Sequence, residues 1–175
     1  GWFTAEEDGV EVTSSSRVPD EPATYYAQWI AAPNETITVS ENPTHDTTWQ
    51  SGNLYLVSQS VMIPSGVTLT VMPGATVKFA KGVSLTVASG ATLQAVGSRA
   101  MPIVFTSMKD DAHGGDSNED GKTTAPAPGD WYQIGVSGTA TFRNVHVFYN
   151  SSVENHGGLE CLGGAIVFDN SEIAE

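Results

Sequence analysis

Residues 66–97 constrain the fold of this chain more than any other stretch, because they form four consecutive octads. The octads read GVTLTVMP, GATVKFAK, GVSLTVAS and GATLQAVG, and each begins with glycine. Apolar residues recur at the second, fourth and sixth positions, which is the alternation of a short strand with one buried face. The glycine after each strand permits the backbone conformations of a tight corner. Self-similarity at so short a period predicts a solenoid, in which each repeat buries its apolar face against its neighbours.

The strand pattern continues on both sides of the octads. Short alternating segments are present at 54–57, 61–63, 103–106, 131–134, 140–149 and 164–168, and no segment has a helical period. The 18 glycines and 9 prolines are typical of an all-β chain with many turns. Residues 109–130 interrupt the pattern with Asp, Gly and Pro and almost no large apolar side chain. We therefore predict a loop at 109–130 that projects from one corner of the solenoid.

The length of one coil has two interpretations. Two octads would give a coil of about 16 residues, and the best self-match, 66–71 with 82–87, favours it. Three octads would give about 24 residues and enclose a wider core of stacked aliphatic side chains. We prefer 24 residues, which places Leu69 on Leu93 and Val77 near Ile103.

The order of several motifs resembles that of right-handed parallel β-helix repeat proteins of bacterial surfaces. The motifs are VMIPSGVTLTVMPG at 61–74, LQAVG at 93–97, PIVFTS at 102–107 and PGDW at 128–131. This resemblance implies an extracellular parallel β-helix that is secreted or attached to the cell wall. It does not imply one activity, because the same fold carries lyases, adhesins and passenger domains.

The first thirty residues read as a separate small β unit. Gly1-Trp2-Phe3 and the closing Tyr26-Ala27-Gln28-Trp29 resemble the C-terminal half of a Listeria–Bacteroides repeat, a β-grasp-like module of bacterial surface proteins. We predict this partial repeat at 1–30, a linker at 31–48 and the β-helix at 49–175. A short strand is expected inside the linker at 36–39. The chain reads as a segment of a longer protein, with an incomplete β-helix whose uncovered end should self-associate or fray.

Composition excludes several partners. The chain has 7 Lys and Arg against 20 Asp and Glu, a net charge of −13, which argues against nucleic acid and anionic lipid. No apolar run is long enough to span a bilayer. Cys161 is the single cysteine, so no internal disulfide can form, and we expect it to be a small buried residue.

The loop at 109–130 contains the best candidate for chemistry. Asp116, Asn118, Asp120 and Gly121 follow the D-x-N-x-D-G spacing of calcium loops, and the Lys122 carbonyl would be the next ligand. The twelfth position is Ala127 rather than glutamate. We therefore expect the remaining carboxylate ligand to come from a separate group of three residues: Asp110, Asp111 and Asp130. The alternative is a solvated acidic loop without an ion.

No catalytic motif accompanies the repeats. The four histidines form no zinc pattern, and His146 is expected to point outward between Val145 and Val147. Exposed aromatic residues could stack on sugars, and the candidates are Trp49, Trp131, Tyr132 and Tyr149, although we expect Trp131 to be packed in the core. We therefore predict a non-catalytic surface module with a structural or adhesive role that binds glycans or host ligands. The alternative is part of a polysaccharide lyase or another carbohydrate-active β-helix enzyme.

Overall fold

The computed structural model describes residues 33–150 and 158–174, together with the strand positions 2–3 and 26–27. The chain divides into two compact units, 1–31 and 32–175. In the first unit, β1 (Trp2–Phe3) and β2 (Tyr26–Ala27) pair in antiparallel fashion. The other residues of the Listeria–Bacteroides resemblance lie outside the described residues, so that resemblance stays a prediction.

The second unit is a right-handed parallel β-helix. Its strands are β3 (Thr36–Val39), β4 (Thr47–Trp49), β5 (Leu54–Val57), β6 (Val61–Ile63), β7 (Thr68–Val71), β8 (Thr76–Phe79), β9 (Leu85–Val87), β10 (Thr92–Val96), β11 (Ile103–Ser107), β12 (Ile134–Val136), β13 (Thr139–Arg143), β14 (Val145–Phe148), β15 (Leu159–Cys161), β16 (Ala165–Asp169) and β17 (Glu172–Ala174). Every pair of neighbouring strands in this unit is parallel. Among the described residues no helix is present that is long and apolar enough to cross a membrane.

Three sheets form the walls of the β-helix. The five-stranded sheet has the order β16-β13-β10-β7-β4, the six-stranded sheet β17-β14-β11-β8-β5-β3, and the four-stranded sheet β15-β12-β9-β6. From β4 onward, successive strands along the chain belong to the three sheets in turn, so one complete coil contains three strands. Leu69 pairs with Leu93, which confirms the 24-residue coil for the octads. Val77 pairs with Phe105 and not with Ile103. Ile103 lies two residues before Phe105 on the same strand, so it is close to Val77 although it is not the paired residue. The corner at 97–102 adds the residues that lengthen this coil.

Parallel pairing begins earlier in the chain than we predicted. The segment 31–48, expected to be a linker, contains β3 and the first two residues of β4. Strand β3 pairs with β5 over four residues, from Thr36–Leu54 to Val39–Val57. Ile37 and Val39 pack against the core through this pairing. The expected strand at 36–39 is therefore part of the six-stranded sheet.

Inward side chains of the three sheets form one continuous core. The alternation in the octads sets it, because Leu69, Leu85 and Leu93 are almost completely buried. An aromatic column runs through the core, with Phe79 stacked between Trp131 at 4.3 Å and Phe105 at 6.3 Å. Cys161 was expected to be buried but is exposed. It lies on β15, which pairs with β12 on one side and has no further strand beside it among the described residues.

Candidate functional site

The loop at 109–130 folds back over the outer face of the six-stranded sheet. Gly114 comes so close to this face that a Cβ atom there would lie 3.1 Å from Leu54 Cδ1. Its φ of +79° is a conformation that glycine adopts without steric cost. The sequence predicted a loop that projects from one corner of the solenoid. In the structure, the first part of the loop instead covers the outer face of the six-stranded sheet.

Lys78 fastens the loop to the sheet. It points outward from β8, yet it is completely buried, because the loop covers it. Its Nζ donates to the Gly115 carbonyl at 2.5 Å and to Ser117 Oγ at 3.0 Å, while Ser117 Oγ donates to the Met108 carbonyl at 2.9 Å. Burial lowers the pKa of Lys78, and three nearby carboxylates oppose this effect. Sequence reasoning missed Lys78 because it occupies an ordinary outward position of an octad.

Asp110 joins the same loop to β11 and is 1% exposed. Thr106 Oγ1 donates to Asp110 Oδ2 at 2.6 Å, and the ring Nδ1 of His113 lies 2.7 Å from the same oxygen. The backbone N–H of Ala112 donates to Oδ1 at 3.0 Å. Burial by itself raises the pKa of Asp110, but the hydrogen bonds and the His113 charge outweigh it and hold the pKa below its ordinary value.

Asp130 closes the other end of the loop in the same way. Lys109 Nζ donates to Asp130 Oδ1 at 2.6 Å, and Ser107 Oγ donates to Oδ2 at 2.8 Å. The N–H of Ala127 adds a bond of 3.0 Å to Oδ2. Burial raises the pKa of Asp130, whereas these three donors lower it further than burial raises it. Asp110 and Asp130 thus anchor the loop at its two ends through separate sets of donors.

The predicted calcium ligands are divided among these contacts. Asp116 accepts the N–H of Asp120 and of Gly121, at 3.3 and 2.8 Å. Asp120 accepts Asn118 Nδ2 at 2.9 Å and Thr124 Oγ1 at 2.5 Å. These hydrogen bonds bring Asp116, Asn118 and Asp120 into one turn.

The remaining predicted ligands lie elsewhere in the loop. Lys122 is exposed, and the Oδ1 atom of Asp111 is buried without a hydrogen-bond partner. Asp110 and Asp130 are engaged by protein donors of their own. Across 33–150 and 158–174, no three His, Cys, Asp or Glu side chains are grouped so that they could hold a metal ion. Calcium binding therefore stays a prediction.

A groove of about 440 Å³ lies at the corner between the five- and six-stranded sheets. Its wall includes Arg99, Asn144, His146, Asn170 and Glu172. His146 points outward, as predicted, and its Nδ1 lies 2.5 Å from Glu172 Oε1. Within the described residues the Arg99 side chain has no ion pair or hydrogen bond. The groove therefore presents the Arg99 guanidinium beside the paired imidazole and carboxylate of His146 and Glu172.

Two asparagines build the corner beneath the groove. Asn144 and Asn170 have φ values of +49° and +45°, a left-handed conformation that asparagine tolerates better than most residues. Asn144 Nδ2 donates to the Gly97 carbonyl at 3.1 Å, and Asn170 Nδ2 donates to Asn144 Oδ1. Gly97 occupies the equivalent corner position one coil earlier. A Cβ atom on Gly97 would lie 2.5 Å from the Asn144 carbonyl oxygen. The hydrogen bonds between successive corners therefore hold the residues of the groove in place on the β-helix.

A row of three rings connects the groove with the loop. His146 stacks on Phe148 at 5.8 Å between ring centroids, and His113 stacks on Phe148 at 5.3 Å. The interplanar angles are 10° and 24°. Two imidazoles therefore pack against the half-buried Phe148 ring.

The aromatic residues considered for sugar stacking are mostly in the core. Trp131 is fully buried, as expected, and its Nε1 donates to the Phe148 carbonyl at 2.8 Å. Trp49 is also buried and stacks on Tyr55 at 4.9 Å. Tyr132 is 38% exposed and Tyr149 is half-buried. The four candidates therefore do not form an exposed aromatic surface for sugar stacking.

The outer face of the four-stranded sheet has few groups for acid–base chemistry. Met62, Thr86, Gly135 and Glu160 form its outward row. Glu160 is the single carboxylate in that row.

A pattern in the sequence could have located the groove. Phe142-Arg-Asn144 and Phe168-Asp-Asn170 repeat at a separation of 26 residues, and they pair in register in the five-stranded sheet. Neither Arg99 nor Glu172 was singled out in the sequence analysis. The three segments of the groove come from successive coils, so they become neighbours only when the coil length at this corner is known.

The family model of the pectate-lyase-like β-helix domain matches residues 41–174. Comparison with curated proteins and with solved structures gave no match. The matched region contains the three walls, the loop and the groove, and its parallel three-strand coils have the architecture that the family name describes. The chain is a member of the pectate-lyase-like β-helix family.

Proposed function

We propose that this protein is a non-catalytic extracellular β-helix module with a structural or adhesive role, and that it binds glycans in the groove at Arg99. The observation that supports the proposal is the chemistry of the groove wall. Its guanidinium, imidazole and carboxylate groups are donors and acceptors suited to sugar hydroxyls. The volume of about 440 Å³ lies within the range of small-molecule sites. The net charge of −13 favours a neutral glycan over a polyanion.

A glycan array followed by calorimetry tests the proposal. We expect the protein to bind at least one neutral oligosaccharide, and Arg99→Ala to weaken that binding about tenfold or more, as loss of a bond to a charged group does. Arg143→Ala is the matched control, because Arg143 forms an exposed ion pair with Asp169 and does not line the groove. Equal affinities of wild type and Arg99→Ala would contradict the assignment of the groove.

A polysaccharide lyase is the second candidate function. The family membership favours it, and Arg99 and His146 share one groove, where the imidazole could abstract a proton and the guanidinium could stabilise the negative charge that develops. An assay for unsaturated sugar products separates the two candidates. Cleavage that His146→Ala removes would establish the enzyme and refute the non-catalytic module.

A further inference from the structure

The outer face of the five-stranded sheet carries two regular rows of threonine. The strand register places Thr68, Thr92 and Thr139 side by side in one row. A second row, two residues further along each strand, contains Thr48, Thr70, Gln94, Thr141 and Val167. We call these two rows the threonine face. The register is unbroken from strand to strand, although the loop at 109–130 separates β10 from β13 in sequence.

The hydroxyl groups of this face are free of the protein. Within the described residues, none of the six threonine hydroxyls makes a hydrogen bond to another protein group. Their donors and acceptors are therefore available to water or to a ligand.

The face also lacks charge, in a protein with a net charge of −13. Charged residues border it only at Asp46, next to Thr68, and at the Arg143–Asp169 ion pair. Exposed Met72 and Val96 lie beside the threonine rows and add apolar surface. A wall without charge favours an uncharged partner, because an ion would gain no attraction there.

The spacing of the hydroxyls is set by the backbone. Neighbouring strands lie about 4.8 Å apart, and residues i and i+2 of one strand lie about 6.6 Å apart. Threonine is β-branched and stiff at χ1, so each methyl and hydroxyl is held in a restricted orientation. The result is a two-dimensional array of threonine side chains at the spacing of the sheet, interrupted in the second row by Gln94.

We propose that the threonine face binds ice. An ordered, uncharged lattice of small hydroxyl and methyl groups can hold a layer of water in ice-like positions and join it to the crystal. Sugars are a poorer match, because the face carries no aromatic ring for stacking. This inference does not depend on the groove or on the proposed glycan binding.

Thermal hysteresis and partition into a growing ice hemisphere test the inference. We expect the protein to depress the freezing point below the melting point and to enter the ice fraction. Thr92→Lys, which places a charge in the centre of the face, should lose most of both effects. Gln94→Thr completes the second row and should increase the hysteresis. Thr86→Lys, on the outer face of the four-stranded sheet, is the matched control and should behave like the wild type.

Folding of each variant is checked by its thermal unfolding midpoint, so that loss of activity is not confused with loss of structure. The inference is overturned if the wild type has no hysteresis and stays out of the ice. It is equally overturned if Thr92→Lys, still folded, matches the wild type. Binding to a crystalline neutral polysaccharide without any effect on ice would assign the face to a different ligand and also refute it.

Discussion

At the scale of single residues, the loop at 109–130 depends on buried polar groups rather than on apolar packing. Lys78 and Asp110 are among the most buried polar side chains of the described structure. Each is covered because a short segment of loop satisfies it with carbonyl, hydroxyl or imidazole partners. Buried polar groups of this kind cost little while paired and become expensive when one partner is removed.

Asp110→Asn should lower stability at neutral pH by about 1–3 kcal/mol, because the carboxylate accepts Thr106 and His113 at Oδ2 and Ala112 N–H at Oδ1. An amide has only one acceptor oxygen, so its NH2 group would face at least one of these donors. The pKa of Asp110 is lower in the folded protein than its ordinary value. Its contribution is therefore complete above a pH of about 4 and is lost as pH falls through the folded pKa. Urea unfolding at pH 7 and pH 3 measures both effects.

The variant should show a smaller loss of stability between pH 7 and pH 3 than the wild type. Asp169→Asn is the control, since Asp169 forms only an exposed ion pair and its removal should change stability by less than about 0.5 kcal/mol. An acid profile of Asp110→Asn identical to that of the wild type would show that Asp110 is not linked to folding.

At the scale of elements, the octads predicted the strands well because their alternation depends only on which face is buried. The corners were harder to predict. Insertions between strands change the coil length without disturbing the pairing. The partner of Val77 is therefore Phe105, two residues beyond Ile103. The site was harder still, because Arg99, His146 and Glu172 come from three different coils. Whether these three residues are neighbours depends on the number of residues in each corner, which hydrophobic periodicity does not predict.

The turn at 116–124 gives a second prediction at this scale. We expect calcium to bind where Asp116, Asn118 and Asp120 converge and to raise the thermal unfolding midpoint, since a cation relieves repulsion between neighbouring carboxylates. Asp120→Ala should remove the calcium-dependent rise. Calorimetry with calcium, and thermal unfolding with calcium or a chelator, check this expectation. If calorimetry detects no binding heat, the prediction is contradicted and the turn is stabilised only by its own hydrogen bonds.

At the scale of the whole molecule, apolar side chains are exposed along the last described strands. Phe168 and Ile173 are 39% and 47% exposed, although they pair with the buried Phe142 and Val147 of the coil before. Exposed apolar side chains next to unpaired strand edges favour association with another strand edge.

Sedimentation should therefore show mass increasing with protein concentration. Ile173→Lys should shift the distribution toward monomer, because it places a charge on the exposed apolar end. Met62→Lys is the control, since Met62 is similarly exposed at 44% but points outward from the four-stranded sheet. A strictly monomeric wild type at high concentration would argue against this surface.

The parallel stacking of coils has a mechanical consequence. Each strand is hydrogen-bonded only to the strands directly before and after it in its sheet. Force applied along the chain from one end would load the bonds of the outermost coil and leave those of the inner coils at rest. The wall should then unfold coil by coil. A coil without the loop would release roughly 24 residues, or about 80 Å of extended chain, and the coil that contains the loop at 109–130 would release about twice that length. Under tension the protein would lengthen in steps, and the unfolding of each coil would dissipate mechanical energy.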